Sequence, residues 1–203
     1  MARETGRRGF FKEALNQLMQ PVAEFLDDRI GEPVPVEAAN RGHLLRPPGA
    51  LPEAEFLEKC HRCGNCVKNC PANAIFALEE RVQSDLTDTP YIDPDEQPCV
   101  ICDSLACMYV CPSGALQPVY AEDIKIGLAI FNVETCLRTK DVACTYCIDT
   151  CPIGADAIHL TTDGIVEVLE SGCTGCGVCQ YACPTVPKSI VIEPDIAREI
   201  LVD

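Results

Sequence analysis

The chain has 203 residues, a formal net charge of −15, sixteen cysteines, no Trp and few other aromatics. That acidity excludes nucleic-acid binding, which needs a basic face to neutralise phosphate, and favours a basic patch on a protein partner. No apolar run approaches the roughly 18 residues that a membrane span needs. The length suits one domain or two small ones.

Residues 1–31 form the first segment. Gly6-Arg7-Arg8-Gly9-Phe10-Phe11-Lys12 looks like a twin-arginine export motif. An export signal continues into an apolar stretch, whereas here Glu13, Asn16, Gln17 and Gln20 follow. The segment therefore reads as retained and the protein as cytoplasmic, with a periplasmic location as the alternative if Arg7-Arg8 does act as a signal. Phe11, Leu15, Leu18, Val22, Phe25 and Leu26 fall on one helical face. Pro21 should kink that helix, and Gly31 suits its stop. The face suits packing on the protein's own core, docking on a partner subunit or lying on a membrane surface. The six residues are carried forward as the candidate docking site.

Residues 32–56 read as an extended linker. Pro33, Pro35, Pro47, Pro48 and Pro52 argue against a helix or central strand, and such a stretch can lie as a strap over a surface. A short helix from Glu53 to Lys59 leads into the first cysteines.

Residues 57–203 carry four cysteine quartets. Cys60, Cys63, Cys66 and Cys70, followed by Pro71, have the spacing C-x2-C-x2-C-x3-C-P, and it returns at Cys173, Cys176, Cys179, Cys183 and Pro184. Looser versions run Cys99, Cys102, Cys107, Cys111, Pro112 and Cys136, Cys144, Cys147, Cys151, Pro152. Together they use all sixteen cysteines. This spacing is the established ligand pattern of bacterial [4Fe–4S] ferredoxins, in which the fourth cysteine serves the neighbouring cluster. Three thiolates on a tight loop reach three corners of one cube, and the fourth points away from it. Disulfides fit poorly, because cysteines at i, i+3 and i+6 are badly placed to pair and no clear secretory signal precedes them. Structural zinc normally takes two separated C-x2-C pairs, often with His, and the chain has three His. Four [4Fe–4S] clusters are the expected cofactors. Each oxidised cube with its thiolates carries about −2, which takes the loaded chain to roughly −23.

Between the quartets one unit repeats: cysteine loop, short helix, strand, turn, strand. The clearest hairpin is 157–161 with 165–168 around the turn at 162–164. Residues 78–98, rich in Asp, Thr and Pro, read as a surface loop. A strand is expected near 189–192 and an acidic tail helix at 196–201. The fold class is α+β: two bacterial-type 2[4Fe–4S] ferredoxin-like modules behind an N-terminal amphipathic helix and extended linker. His43, His61 and His159 show no catalytic partner, and Lys68 and Lys188 read as exposed.

From about Arg46 onward the chain resembles four-cluster ferredoxin-type subunits of the NapG/MauM kind. The resemblance is carried by Arg46-Pro47-Pro48-Gly49-Ala50-Leu51, by Cys107 to Leu116, and by Gly127-Leu128-Ala129 leading to Cys136 with its long gap to Cys144. The second quartet is also similar to those in electron-transfer subunits of molybdenum or tungsten oxidoreductases. These likenesses imply a polyferredoxin relay without catalysis of its own. It would sit in a hetero-oligomer between a catalytic subunit, molybdenum- or tungsten-dependent, and a second redox carrier. A maturation factor for such an enzyme and a cluster-bearing scaffold joining enzyme copies are the alternatives. Two cluster pairings are open. Sequential pairing, first quartet with second and third with fourth, suits the tight hairpin between Cys151 and Cys173. Nested pairing, first with fourth, is what the oxidoreductase resemblance implies, and it is the expectation here: Cys70 would then share a cube with Cys173, Cys176 and Cys179.

Overall fold

The computed structural model describes residues 44–79 and 84–194. The amphipathic face at Phe11 to Leu26, residues 32–43, His43 and the expected tail helix at 196–201 lie outside the described residues. The described chain belongs to the unit Gly42–Asp203.

Each short helix grows out of a cysteine loop. After α1 (Glu53–Lys59) come α2 (Asn65–Lys68), α3 (Ala106–Tyr109), α4 (Tyr146–Asp149) and α5 (Val178–Ala182). Each of the last four carries the third cysteine of its quartet and stops just before Cys-Pro. Proline disfavours helical geometry in the residue before it, so the helix ends there. Gly64 opens α2 in the left-handed region at φ 69°, which costs a glycine little.

The strands form three antiparallel pairs. In the first, β1 (Phe76–Ala77) meets β2 (Pro90–Tyr91). In the second, β4 (Ile158–Leu160) meets β5 (Val166–Val168) around the expected turn, with His159 opposite Glu167. Those two side chains approach to 3.2 Å, so His159 acts as a cross-strand partner. In the third, β3 (Gly127–Phe131) runs against β6 (Ile190–Pro194). The strand expected near 189–192 is thus present, and its partner lies more than one quartet upstream. Ala129, Ile190 and Ile192 face inward while Ile130 and Val191 are exposed, the alternation of a half-buried ribbon.

The proline-rich approach is buried over its described part. Leu45 bridges to Ile92 and Ala50 to Leu116. Residues 45–50 are buried, and Pro47 and Pro48 are fully so. Arg46, only 5% exposed, is the pin. It forms a forked ion pair with Glu53, donates to Thr89 Oγ1 at 3.0 Å and to the Pro90 carbonyl at 2.8 Å, and stacks 4.7 Å over the Phe56 ring. This explains a correction to the surface-loop reading of 78–98. Leu78, Thr89, Pro90, Ile92, Pro94 and Pro98 are buried, because this stretch supplies the surface that receives the strap. Arg46→Ala leaves the Thr89 and Pro90 oxygens without their donor and is expected to cost roughly 3 kcal/mol in denaturant unfolding of the iron-loaded protein.

Phe56, Met108, Ile124 and Ile190 are the largest fully buried apolar side chains apart from the two prolines. They interleave with cysteines throughout the core. Among the described residues no helix is long and apolar enough to cross a membrane.

Candidate metal centres

None of the sixteen cysteines is in a disulfide, and the fold gathers them into four cavities. Cys60, Cys63 and Cys66 line the first site with Cys111. Cys99, Cys102 and Cys107 line the second with Cys70. Cys136, Cys144 and Cys147 line the third with Cys183. Cys173, Cys176 and Cys179 line the fourth with Cys151.

The exchange of fourth cysteines is therefore sequential, and the nested expectation is wrong. Cys70 stands with the second quartet, not with Cys173, Cys176 and Cys179. The cause is local. The third cysteine lies in the short helix and the fourth, four residues on, just past its end, about 6 Å further along the axis, so the two sulfurs face two different cavities. Because β1 and β2 turn the chain back after the first quartet, α2 packs on α3. The β4–β5 hairpin likewise returns the chain so that α4 packs on α5. Each module thus closes over a short stretch of sequence.

Several side chains hold the loops in place. The wide gap between Cys136 and Cys144 is bridged by a 3-10 turn at Leu137–Lys140. There Arg138 donates to the Gly164 carbonyl at 2.6 Å and the Cys144 carbonyl at 3.3 Å, and Thr139 donates to the Cys136 carbonyl at 2.7 Å. Lys125 clamps the entry to the last quartet through the carbonyls of Glu170, Ser171 and Cys173. Lys188, half-buried rather than exposed, donates to the Cys183 carbonyl at 2.7 Å and sets a positive charge beside the third site. Lys68 and His61 are exposed, as expected.

Three observations test whether these residues fit an iron–sulfur core. First, the thiols surround a volume rather than a point. Among the described residues no group of three or more His, Cys, Asp or Glu side chains converges on a single-ion site. Second, burial pushes the thiols up, and neighbouring thiols of the same or the adjoining site push further. Cys99 and Cys107 rise to about 12, Cys66 and Cys147 to about 11, and Cys179 higher still. Such a nest is hostile to bare thiolates and hospitable to them once a cationic core sits among them. Third, Thr174 is 4% exposed and lines the fourth cavity, where its hydroxyl stands by the Cys176 sulfur and favours the thiolate against the upward push of burial. The residues fit.

The fourth cysteines differ in what touches their sulfur. Cys111 Sγ lies 3.5 Å from Ser113 Oγ and accepts from the Leu116 amide at 3.4 Å. Cys183 Sγ lies 3.2 Å from Thr185 Oγ1, which is itself 2.8 Å from Ser189 Oγ. Burial raises both thiols, yet the hydroxyls and nearby amides together bring them below the ordinary value. The residues two past Cys70 and Cys151 are Ala72 and Ile153, which offer no hydroxyl. Donors to sulfur stabilise the more negative, reduced state. Ser113→Ala and Thr185→Ala are therefore expected to lower the potentials of the first and third sites. A neutral hydrogen bond of about 1 kcal/mol corresponds to about 40 mV for one electron. An EPR-monitored redox titration checks this, with the second and fourth sites unchanged.

Paired short helices exchanging cysteines between adjacent cavities define a protein of the dicluster iron–sulfur class. The 4Fe-4S dicluster domain family matches residues 59–115 and 142–186, one match for each module. The chain is 36% identical over 203 residues to the methylamine utilization ferredoxin-type protein MauM of Methylophilus methylotrophus, covering 94% of this chain and 88% of that one. It is 39% identical over 170 residues to MauM of Paracoccus denitrificans, covering 79% and 74%. It is 35% identical over 166 residues to the ferredoxin-type protein NapG of Escherichia coli, covering 75% and 71%. The chain belongs to this family of 4Fe-4S ferredoxin-type proteins, which are electron carriers rather than catalysts.

Proposed function

We propose that the chain relays single electrons through four [4Fe–4S] clusters held by its sixteen cysteines, between a catalytic oxidoreductase subunit and a second redox carrier. The observation that carries this reading is the set of four similar cavities, each offering four thiols. Each bound cluster supplies reversible one-electron storage. The chain's residues do the rest. Cysteines complete every corner, leaving no position for substrate. Apolar neighbours such as Ile75, Ala129 and Ile158 keep water from the cavities, and Ser113, Thr185, Thr174 and Lys188 bias the sites electrostatically.

The partner is read by class. Likeness to iron–sulfur subunits of molybdenum or tungsten oxidoreductases supports such an enzyme as the catalytic subunit, joined with this chain in a hetero-oligomer. The face of Phe11, Leu15, Leu18, Val22, Phe25 and Leu26 is proposed to dock on it. The polar run after Arg7-Arg8 supports a cytoplasmic location.

The test is co-purification from the native host followed by anaerobic stopped-flow mixing with the enzyme's substrate. A relay stays stoichiometric with the active enzyme, and its visible absorbance bleaches within one turnover. A chain that leaves the finished enzyme, or whose absorbance ignores substrate, is not a relay.

A further inference from the structure

The four sites do not follow one another in space as their quartets do in sequence. Within each module adjacent sites are joined twice by covalent chain. Cys66 lies in α2 and Cys70 two residues past its end, and Cys107 lies in α3 and Cys111 two residues past its end, so both segments join the first site to the second. In the same way α4 and α5 join the third site to the fourth. Between the modules the contact is different: the amide of Cys99 donates to the carbonyl of Cys176 at 2.9 Å. One of these cysteines belongs to the second site and the other to the fourth.

The packing around that bond is tight enough to fix it. Gly175 and Gly177 flank Cys176. A Cβ on Gly175 would overlap the backbone of Gly127, and one on Gly177 would come within 2.7 Å of Pro94 Cβ. Both glycines have positive φ, +68° and +90°. The Ile126 amide donates to the Thr174 carbonyl at 2.8 Å, holding the same loop from its other side. Thus Pro94 and Cys99 of one module lie directly on the Cys176 loop of the other.

Cys173, Cys176 and Cys179 of the fourth site are all buried, whereas Cys63 of the first site is exposed.

We propose that the Cys99–Cys176 backbone hydrogen bond is the electronic seam between the modules, so that the sites stand in the order first, second, fourth, third. This rests on the relay reading. At the seam one electron passes between two cubes of the same type, the donor going from the 1+ to the 2+ state and the acceptor from 2+ to 1+. No proton and no further reagent is involved. The ends of the path are then the Cys60, Cys63, Cys66, Cys111 site and the Cys136, Cys144, Cys147, Cys183 site. The last quartet in sequence is internal.

EPR of the fully reduced, full-length, iron-loaded protein tests this, because neighbouring reduced cubes broaden each other's signals. Cys176→Ala removes the fourth site and strands the third, giving one sharp, uncoupled signal of about a third of the remaining spins. Cys147→Ala removes the third site and strands none, so no such signal appears. The reverse pattern overturns the proposal, since it would make the third site the neighbour of the second. Should Cys176→Ala not hold iron, Cys147→Ala decides alone, and a sharp uncoupled signal in it is the contrary result. Iron analysis of the unaltered chain separates the two levels. About sixteen iron with the wrong coupling sinks the seam and spares the relay, while a chain without iron–sulfur clusters sinks both.

Discussion

Cys70→Ala is expected to empty the site of Cys99, Cys102 and Cys107 and to leave that of Cys173, Cys176 and Cys179 full. Cys70 lines the cavity of the second quartet at the end of α2, with its sulfur accepting from the Ala74 amide at 3.3 Å. Without that thiolate the cube keeps three protein ligands and an open iron, the state from which clusters degrade. Iron should fall by about four of sixteen. Brief alkylation under nondenaturing conditions, read by mass spectrometry, locates the loss. Cys99, Cys102 and Cys107 should take label while Cys173, Cys176 and Cys179 stay protected. The reciprocal Cys111→Ala should expose Cys60, Cys63 and Cys66. Label on Cys173, Cys176 and Cys179 in the Cys70 variant would instead mean that the quartets are nested.

Removing all the iron should unfold the described domain. A chelator with reductant is expected to abolish its cooperative unfolding transition and most of its near-ultraviolet dichroism. Magnitudes decide this. A structural metal site contributes on the order of 10 kcal/mol to folding, and a whole domain is stable by about 5–15 kcal/mol. Four such sites exceed what the apolar core can replace. That core has no Trp, its strands are two to five residues long, and its pairs are two-stranded, an arrangement marginal by itself in water. The core residues also touch one another largely across cysteines. An apoprotein that kept a sharp transition would show that Phe56, Met108, Ile124 and Ile190 hold the fold unaided.

The quartets, the helix at Glu53–Lys59 and the β4–β5 hairpin were legible because each is written locally, in a spacing, a periodicity or an Asp163-Gly164 turn. Cluster pairing was not. The same C-x2-C-x2-C-x3-C-P spacing serves nested and sequential exchange equally, since it says only that the fourth sulfur points elsewhere. The decision lies in how quickly the chain returns, and the β1–β2 return was hidden in a stretch whose Asp, Thr and Pro content resembles a surface loop. The β3–β6 ribbon escaped for a related reason. Gly127-Leu128-Ala129 carries a likeness to relatives, but its partner strand lies beyond two further quartets. Arg46 illustrates a third kind of gap. An arginine ahead of two prolines reads as part of an extended strap, and its buried role depends on Glu53, Thr89 and Phe56 converging on it. The hydroxyls at Ser113 and Thr185 could have been found by comparing the residue two places after each fourth cysteine, where Ala72 and Ile153 break the pattern.

The direct test of the relay is a joint count on the full-length chain, isolated without oxygen: iron, acid-labile sulfide and, after full reduction, EPR spins. Four cubes give about sixteen iron, about sixteen sulfide and about four spins per chain. Half that iron, or zinc in place of iron and sulfide, would contradict the relay.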